Sequence, residues 1–427
     1  MKKILLISEV YKKGGAGNAT SEIFKFFQEK KIEFKLLVPF TKIKDENIIN
    51  YYNFITIIFY KSFKLLNRFL TLIFSKNKNY FFNNIFNFSF FSIKKIKKKI
   101  KSFKPDYVMV LWYEYIINHE LILKIKNELN VKIIMYPFDM FSFTGGCRYT
   151  QSCENYLRSC DNCPATYLTA QSKKNFYQKK YFFKKIDPII FFPSKFSLEF
   201  ALKTKTIQDN DKNFIFYYPV SKKKKNRSSL ENKIIHTLKK KIIKNKYRNI
   251  IFFGSQNPLE WRKGMYNLNK LIQTYKATFK KNYDQSLFIG LGKNIDEIFL
   301  EQKKDDNFIT FDFLNHENYY NILHLSNIVI IPSLQEWSSL MLSEAFFANK
   351  ILIGFQTGSS NDYIIENLNG YILDAFNTSS FCHTMNKLFQ KDFILNDKKL
   401  GLLNSYIDKK IKKNNSKIYN YLEKNSL

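Results

Sequence analysis

Short apolar runs alternate with longer stretches of helical periodicity along this chain. Such runs are typical of parallel strands, because a strand buried on both faces needs no polar alternation. Strands that alternate with helices predict parallel, doubly wound sheets, so the expected fold class is α/β. The predicted strands lie at 3–8, 33–38, 107–112, 131–136 and 189–192, and then at 250–253, 287–290, 308–313, 328–331 and 351–355.

A lysine run at 222–225 interrupts this rhythm near the middle of the chain. Pro219 precedes the run, and Asn, Arg and Ser residues follow it, which is typical of a linker. The chain has 427 residues, and domains commonly have roughly 100–200. We therefore predict a first domain at 1–220, a second at 221–390, and a lysine-rich helical segment at 391–427 that packs back on the first domain.

A segment rich in Phe, Ile, Lys and Asn occupies 56–104 and ends in a lysine cluster at 94–101. Apolar positions recur every three or four residues among the lysines, which predicts a basic amphipathic helix. Two interpretations stay open: an ordinary surface helix, and a helix that contacts an anionic membrane. No apolar run approaches the roughly 20 residues that span a bilayer. The N-terminal run is too short for an export signal, so we expect a cytoplasmic protein.

The formal net charge of +33 has two explanations. Lys, Asn, Ile, Phe and Tyr share AT-rich codons, so genomic bias is one. The other is attraction to an anionic partner, such as a membrane surface or a phosphorylated ligand. No helix-turn-helix, zinc-finger pair or RNA-binding aromatic signature is visible, so nucleic acid is not an expected partner.

The polar loop and helix after the strand at 328–331 hold the clearest candidate chemistry. Glu336 lies in the loop, and a helix that begins near Ser338 or Ser339 carries Glu344. Ligands of open α/β sheets bind beyond the carboxyl ends of strands, and helix N-termini attract phosphate. Carboxylates beside such a site suit hydrogen bonds from sugar hydroxyls. The alternative is that both glutamates are ordinary exposed residues.

Two further segments follow predicted strands. After 250–253, a loop leads to Arg262, Lys263 and Gly264. A lysine neutralises a diphosphate as a point charge and an arginine as a fork, although a surface lysine is the plain alternative in so basic a chain.

The glycine-rich loop at 14–17 follows the first strand. It departs from G-x-G-x-x-G, so a nicotinamide dinucleotide fold is not indicated.

Four of the five cysteines lie in one short segment with the spacing C-x5-C-x6-C-x2-C. Four thiolates can close a tetrahedral shell around zinc, which would make that metal structural. Reduced free thiols and redox-active disulfides are the alternatives, whereas an extracellular disulfide framework is disfavoured without an export signal. The residues are Cys147, Cys153, Cys160 and Cys163.

The spacing from Glu336 to Glu344 resembles the E-x7-E motif of retaining glycosyltransferases of family 4. The text at 354–373 resembles the next strand, loop and N-G-Y turn of that family. The F-T-G-G-C sequence at 143–147, with its following cysteines, resembles an insert in a branch that makes bacterial surface polysaccharides. The resemblance implies a GT-B fold, with two Rossmann-like domains facing across a cleft.

The resemblance also implies roles for the residues after 331. Glu336 would lie near the donor sugar, and Glu344 would hold the ribose of the nucleotide. The backbone amides of Ser338, Ser339 and Leu340 would face the diphosphate.

Other implied roles belong to earlier segments. Lys263, assisted by Arg262, would bind the diphosphate, while Gly14 and Gly15 would face the donor. Asp139 would orient sugar hydroxyls, and together with Lys263 and the first glutamate it completes the predicted catalytic set.

The implied function is transfer of a sugar, with retention of anomeric configuration, from a nucleotide-sugar donor to a polysaccharide or lipid-linked glycan in cell-surface polysaccharide biosynthesis. Catalysis would need no metal, and the protein would be peripheral on the inner face of the cytoplasmic membrane. Two departures favour a second hypothesis, a weakly active or inactive GT-B-like scaffold that binds a membrane or partner protein. They are Phe138, where many members have His, and Ser255, where Arg is frequent. The cysteine insert also departs from the resemblance, with Arg148 where His is usual.

Overall fold

The computed structural model describes residues 2–83, 88–220, 233–390 and 397–424. The chain divides into two compact units. The first consists of Met1–Pro219 and Ile411–Leu427, and the second is Val220–Lys410. The predicted linker at 222–225 lies outside the described residues.

The first unit is built on a seven-stranded sheet, in the order β3-β2-β1-β4-β5-β6-β7, and every strand pair is parallel. Its strands are β1 (Lys3–Ile7), β2 (Glu33–Val38), β3 (Ile48–Asn50), β4 (Tyr107–Val110), β5 (Lys132–Met135), β6 (Ile189–Phe192) and β7 (Asn213–Ile215). Its helices are α1 (Gly14–Glu29), α2 (Phe54–Ile73), α3 (Ile93–Lys99), α4 (His119–Leu129), α5 (Thr169–Ile186) and α6 (Lys195–Lys203).

The second unit has a six-stranded parallel sheet in the order β10-β9-β8-β11-β12-β13. Its strands are β8 (Asn249–Gly254), β9 (Ser286–Leu291), β10 (Phe308–Phe311), β11 (Ile328–Ile331), β12 (Ile351–Phe355) and β13 (Gly370–Leu373). Its helices are α7 (Lys233–Asn245), α8 (Met265–Thr278), α9 (Lys280–Asp284), α10 (His316–Leu325), α11 (Leu340–Phe347), α12 (Ser360–Tyr363) and α13 (Thr378–Phe389), and α14 (Asp397–Lys424) follows them.

The strand order fixes where ligands can approach each sheet. In both units the order reverses beside the first strand, so that β1 neighbours β4 and β8 neighbours β11. The loops after neighbouring strands diverge at such a switch point and leave a crevice at the carboxyl edge. Side chains that follow these four strands are therefore the ones positioned to meet a ligand.

The prediction of two doubly wound parallel sheets is confirmed, and each predicted strand is present with small shifts at its ends. Three strands were not predicted, namely β3, β7 and β13. The glycine-rich segment at 14–17 was expected to be a loop, but α1 begins at Gly14. The described part of 56–104 contains two α-helices, and most of the lysine cluster lies on the short α3.

The end of α14 packs against the first unit. The Tyr107 hydroxyl donates a hydrogen bond to the Leu422 carbonyl at 3.1 Å. The Tyr419 ring centroid lies 5.7 Å from that of Phe26, and the residues from Ile411 onward belong to the first unit. In the part of the chain that the structure describes, no helix combines the length and hydropathy needed to cross a membrane.

Candidate functional site

An ion cluster lies on the loops that follow β8 and β11 in the second unit, with a buried carboxylate and two half-buried cations. Glu336 forms ion pairs with both Lys263 and Arg262. The Nη1 atom of Arg262 lies 3.2 Å from Oε1 of Glu336, and the Ser333 hydroxyl lies 3.1 Å from the same oxygen. Because the two strands are neighbours, the sheet brings together two predicted segments that are far apart in sequence.

The two loops contact each other through their backbones. Gly264 has φ +65°, and a Cβ atom at this position would lie 1.7 Å from the Pro332 carbonyl oxygen. The Leu334 amide donates to the Arg262 carbonyl at 2.7 Å. Only glycine allows both the left-handed conformation and this close approach. Gly264 therefore fixes the position of the adjacent Lys263 against the loop that carries Glu336.

The cluster keeps its carboxylate ionised. Burial raises the pKa of Glu336, but the charges of Lys263 and Arg262 and the hydrogen bonds to this carboxylate outweigh burial, so the pKa lies below its ordinary value. Burial lowers the pKa of Lys263, and the charge of Glu336 opposes that change. Arg262 also pairs with Glu260, at 2.8 Å. An anionic ligand that bound Lys263 and Arg262 would thus take the place of the Glu336 and Glu260 carboxylates as their partner.

The loop after β12 braces the loop that carries Glu336. The Thr357 hydroxyl accepts a hydrogen bond from the Glu336 amide at 3.0 Å, and the Ser359 hydroxyl accepts one from the Ser339 amide at 3.2 Å. Neither Thr357 nor Ser359 was predicted from the sequence to be a site residue. Both follow a strand predicted from sequence, which was the available signal.

The predicted amide positions lie at the start of α11. Ser339 is the N-cap, and its hydroxyl accepts from the Leu342 amide at 3.3 Å, while Leu340 is the first helical residue. The Ser338 hydroxyl is buried and has no hydrogen-bond partner among the described residues, and the same is true of the Ser255 hydroxyl after β8. Unpartnered buried hydroxyls are unfavourable, so both side chains are suited to donate to a ligand.

Glu344 is held by two tyrosines that the sequence analysis missed. The Tyr319 hydroxyl donates to one carboxylate oxygen at 2.6 Å, and the Tyr320 hydroxyl donates to the other. Burial, followed by the charge of Glu344, raises the pKa of Tyr319 well above its ordinary value, so that phenol stays a donor. A carboxylate oxygen can accept more than one hydrogen bond.

In the first unit, Asp139 is buried after β5. Its Oδ1 atom accepts from the Phe141 amide at 2.9 Å, and its Oδ2 atom lies 3.8 Å from Nε of Arg148. Burial and the charge of Glu114 raise the pKa of Asp139 to about 7, and Arg148 opposes this increase. Asp139 belongs to a different unit from the cluster around Glu336.

Two further buried carboxylates follow β4 and β1, the next two strands of the sheet beyond β5. Glu114 follows β4 and pairs with Arg148, whose Nε atom lies 2.7 Å from Oε1 of Glu114. Glu9 follows β1, accepts from the Tyr60 hydroxyl at 3.0 Å and pairs with Lys64. The sequence analysis missed Glu9 and Glu114, although their places directly after buried strands were a signal. It recorded Arg148 only as a departure from a family pattern.

Phe138 and Lys179 are buried close to this region. The Phe138 ring lies 5.6 Å from that of Tyr136 and 5.8 Å from that of Tyr218. Lys179 on α5 donates to the Thr144 carbonyl at 2.9 Å, and burial lowers its pKa to about 8. Lys179 thus links α5 to the F-T-G-G segment by a hydrogen bond. The periodicity of α5 alone did not indicate this contact.

Gly14 and Gly15 form the first turn of α1. A Cβ atom at Gly15 would meet no heavy atom within 4 Å. The N-cap residue Lys13 gives no side-chain hydrogen bond to this turn, and the turn contains no acidic residue. Packing therefore does not explain glycine at this position, and the place of Gly14 and Gly15 in a binding site stays a prediction.

The four clustered cysteines line one small cavity, together with side chains such as Thr144. All are free thiols, and Cys147, Cys160 and Cys163 are buried while Cys153 is half-buried. In the described residues no group of three or more His, Cys, Asp or Glu side chains is arranged to hold a metal ion. The thiols are thus grouped without forming a ligand shell, and zinc stays a prediction.

Residues 234–401 match the family model described as "Glycosyl transferases group 1", which includes the Glu336 cluster and Glu344. Solved structures resemble the whole chain. A glycosyltransferase from Rickettsia africae has a TM-score of 0.62 at 14% identity, covering 100% of this chain and 99% of that one. The Anabaena protein HepE in complex with UDP has a TM-score of 0.62 at 8% identity, covering 99% and 100%.

A sucrose-phosphate synthase from Thermosynechococcus elongatus has a TM-score of 0.63 at 10% identity, covering 99% of both chains. The fold is of the GT-B type. At these identities the structural likeness establishes the GT-B fold alone, and the family match covers less than half of the chain. Together they support a glycosyltransferase. No curated protein matches the chain.

Proposed function

We propose that this GT-B protein is a retaining glycosyltransferase that moves a sugar from a nucleotide-sugar donor to a polysaccharide or lipid-linked glycan in cell-surface polysaccharide biosynthesis. The observation that carries this proposal is the ion cluster of Lys263, Arg262 and Glu336 on neighbouring loops, inside the segment that matches the group 1 model. Structural neighbours are complexes with UDP and with UDP-glucose, so uridine nucleotides are the first donors to test.

The charged groups suit a diphosphate that gains negative charge as it leaves. Lys263 would act as a point charge and Arg262 as a planar fork. Stabilising charge that develops in the transition state is the largest single contribution in many enzymes. The unpartnered hydroxyls of Ser255 and Ser338 add two donors for phosphate oxygens. The departing diphosphate would take the acceptor proton.

The two glutamates suit the sugar and the ribose. Once the cations turn to the diphosphate, Glu336 can accept hydrogen bonds from donor sugar hydroxyls. Glu344 is fixed by Tyr319 and Tyr320 and would accept from the ribose. Fixed acceptors cost little reorganisation when the ligand binds, which favours tight and specific binding.

The acceptor would bind at the carboxyl edge of the first sheet. Glu9, Glu114 and Asp139 follow the adjacent strands β1, β4 and β5, and carboxylates are strong acceptors for sugar hydroxyls. Asp139 would orient the acceptor rather than act as a separate base. Its N-cap bond to Phe141 holds the carboxylate in place.

We further propose a cytoplasmic protein, peripheral on the inner membrane face, that needs no metal for catalysis. The grouped thiols would bind a structural zinc. Elemental analysis of protein purified without chelators would test the zinc proposal. One zinc per chain, lost in Cys160→Ser, would support it, and metal-free protein of full stability would contradict it.

Calorimetric titration with UDP-, GDP- and dTDP-sugars tests the proposed function. We expect saturable binding of one donor that is lost in Glu344→Ala. Lys304→Ala is the control, because Lys304 is an exposed residue of the same unit that pairs with the equally exposed Glu301. Absence of binding to every donor by folded protein would favour the scaffold hypothesis.

A further inference from the structure

Helix α2 presents its apolar side chains outward. Large hydrophobic residues along its whole length are more than half exposed, among them Phe54 at 65%, Ile55 at 65%, Phe59 at 74%, Leu65 at 68% and Phe69 at 59%. Isolated exposed hydrophobics are common, but a contiguous apolar face marks an interaction surface. This face of α2 is called the outer face below.

The opposite side of α2 is anchored to the first unit, mainly through polar side chains but also through the buried Ile57. The inward positions recur every three or four residues and include Tyr60, Lys64 and Asn67. Tyr60 and Lys64 both bind the buried Glu9, and the Asn67 amide lies 3.4 Å from the Asn83 side-chain oxygen. Rotation that buried the apolar side chains would leave Glu9 without partners, which is unfavourable for a buried charge. The outer face is therefore held towards the surroundings.

Length and charge decide what the outer face can contact. The helix has 20 residues, or about 30 Å at 1.5 Å per residue. It contains no acidic residue, and the exposed Lys61 and Arg68 lie beside the apolar face. A helix with an apolar face, basic flanks and a polar side anchored to protein is suited to lie in the interface of an anionic bilayer.

We propose that the outer face of α2 docks on the surface of an anionic lipid bilayer. A second copy of the chain is the other candidate occupant. A two-fold interface through α2 would bring Lys61, Arg68 and their copies together with no acidic residue on the helix, which is unfavourable. Anionic headgroups, in contrast, complement these cations while the acyl region accepts the apolar side chains.

The docking surface lies almost wholly within 56–104, the segment that the sequence indicated as a candidate membrane contact. The lysine cluster at 94–101 ends that segment. In the structure, Ile96 and Ile100 are buried, so α3 has no free apolar face and can contribute charge only. The apolar contact would come from α2 instead.

Docking through α2 would also place the bilayer next to the proposed acceptor site. Side chains of α2 bind the Glu9 carboxylate. The backbone amide of Glu9 donates a hydrogen bond to the carbonyl of Trp112, which follows β4, at 2.6 Å. A lipid-linked acceptor could then reach the carboxylates of the first unit without leaving the membrane. This last step rests on the proposed function, whereas docking itself does not.

Vesicle flotation of the full chain tests the docking. The wild-type protein should float with vesicles of phosphatidylcholine and phosphatidylglycerol, and weakly with phosphatidylcholine alone. The variant with Phe59→Gln and Phe69→Gln should bind about tenfold less, because apolar burial is lost. The control, with Phe313→Gln and Phe376→Gln, removes two phenylalanines of the second unit that are 81% and 75% exposed, and it should float like the wild type.

Three outcomes separate the possibilities. No flotation of the wild type at low salt would overturn the proposal. Self-association that the Phe59 and Phe69 changes abolish, without vesicle binding, would assign α2 to a second copy and also overturn it. Titration of the same variants with the nucleotide-sugar donor distinguishes the docking proposal from the proposed function. A variant that no longer floats but binds the donor with unchanged affinity has a defect in docking alone.

Discussion

Lys263 and Glu336 form an ion pair in the second unit. Both were expected to be site residues, but nothing in the sequence indicated that they form an ion pair with each other. The pair lowers the pKa of the carboxyl despite its burial. Removing Lys263 leaves Glu336 paired with Arg262, so the variant is expected to fold.

We predict that Lys263→Ala lowers kcat/KM by roughly a hundredfold or more, since a donor that stabilises transition-state charge contributes about 3 kcal/mol. Lys263→Arg should restore part of the activity, and Lys304→Ala should leave it unchanged. Steady-state kinetics with the donor found by calorimetry make the measurement. Full activity in Lys263→Ala would remove Lys263 from the site.

Gly264 makes a second prediction at the scale of single residues. Gly264→Ala would force a Cβ atom against the Pro332 carbonyl in a left-handed conformation, at a cost of about 1–3 kcal/mol from backbone strain alone. Gly401→Ala is the control, because a Cβ there meets nothing within 4 Å, and alanine favours a helix. Thermal unfolding should show a lower midpoint for the first variant and no decrease for the second.

The third prediction concerns Asp139, whose pKa is raised from 3.8 to about 7 in the folded protein. Because the folded state holds this proton more tightly than the unfolded state, the contribution of Asp139 to stability falls as pH rises from 3.8 to about 7 and is constant above that. The loss is at most about 4 kcal/mol.

Denaturant midpoints of the wild type and Asp139→Asn between about pH 4 and pH 8 check this prediction. The asparagine keeps an oxygen for the Phe141 amide but does not ionise. The variant should gain stability relative to the wild type with rising pH, until the difference levels off. If the wild type instead gained stability relative to the variant as pH rises, the charge of Arg148 would outweigh burial and lower the pKa of Asp139.

At the scale of elements, burial explains which parts of the fold the sequence predicts. The central strands are buried along their length and appear as apolar runs, as β4 and β11 do. The short strands β3 and β7 lie at the sheet edges and are only partly buried. Only two consecutive apolar residues mark β3, whereas β7 lies in an apolar run at 214–218 that was not assigned to a strand. Helix α2 departs from the usual pattern, because most of its apolar side chains are exposed while Tyr60, Lys64 and Asn67 face the protein.

The N-cap of α11 gives a fourth prediction. Ser339→Ala removes the hydrogen bond to the Leu342 amide, and loss of such a cap costs about 1 kcal/mol. Donor affinity should fall as well, because this helix start lies beside the Glu336 cluster in the chain. Asn377→Ala is matched, since it removes the cap bond of α13 to the Ser380 amide. Calorimetry should show equal stability loss in both variants but weaker donor binding in Ser339→Ala alone.

At the scale of the whole molecule, repeated architecture was easier to predict than assembled sites. Two series of buried strands predicted two parallel sheets. The partners of the site residues, such as Tyr319, Glu114 and Lys179, are single residues scattered along the chain. Only the fold brings them close, so no local spacing indicated them.

The first unit is also discontinuous in sequence, because residues 411–427 complete it after the second unit. Domains generally begin to fold during synthesis, from the N-terminus onward. The partners of Tyr107 and Phe26 on α14 are then still missing when the rest of the first unit has left the ribosome. The first unit to be synthesised is therefore the last to complete its folding. Deleting residues 411–427 should expose the core of the first unit to proteolysis and leave the core of the second unit protected.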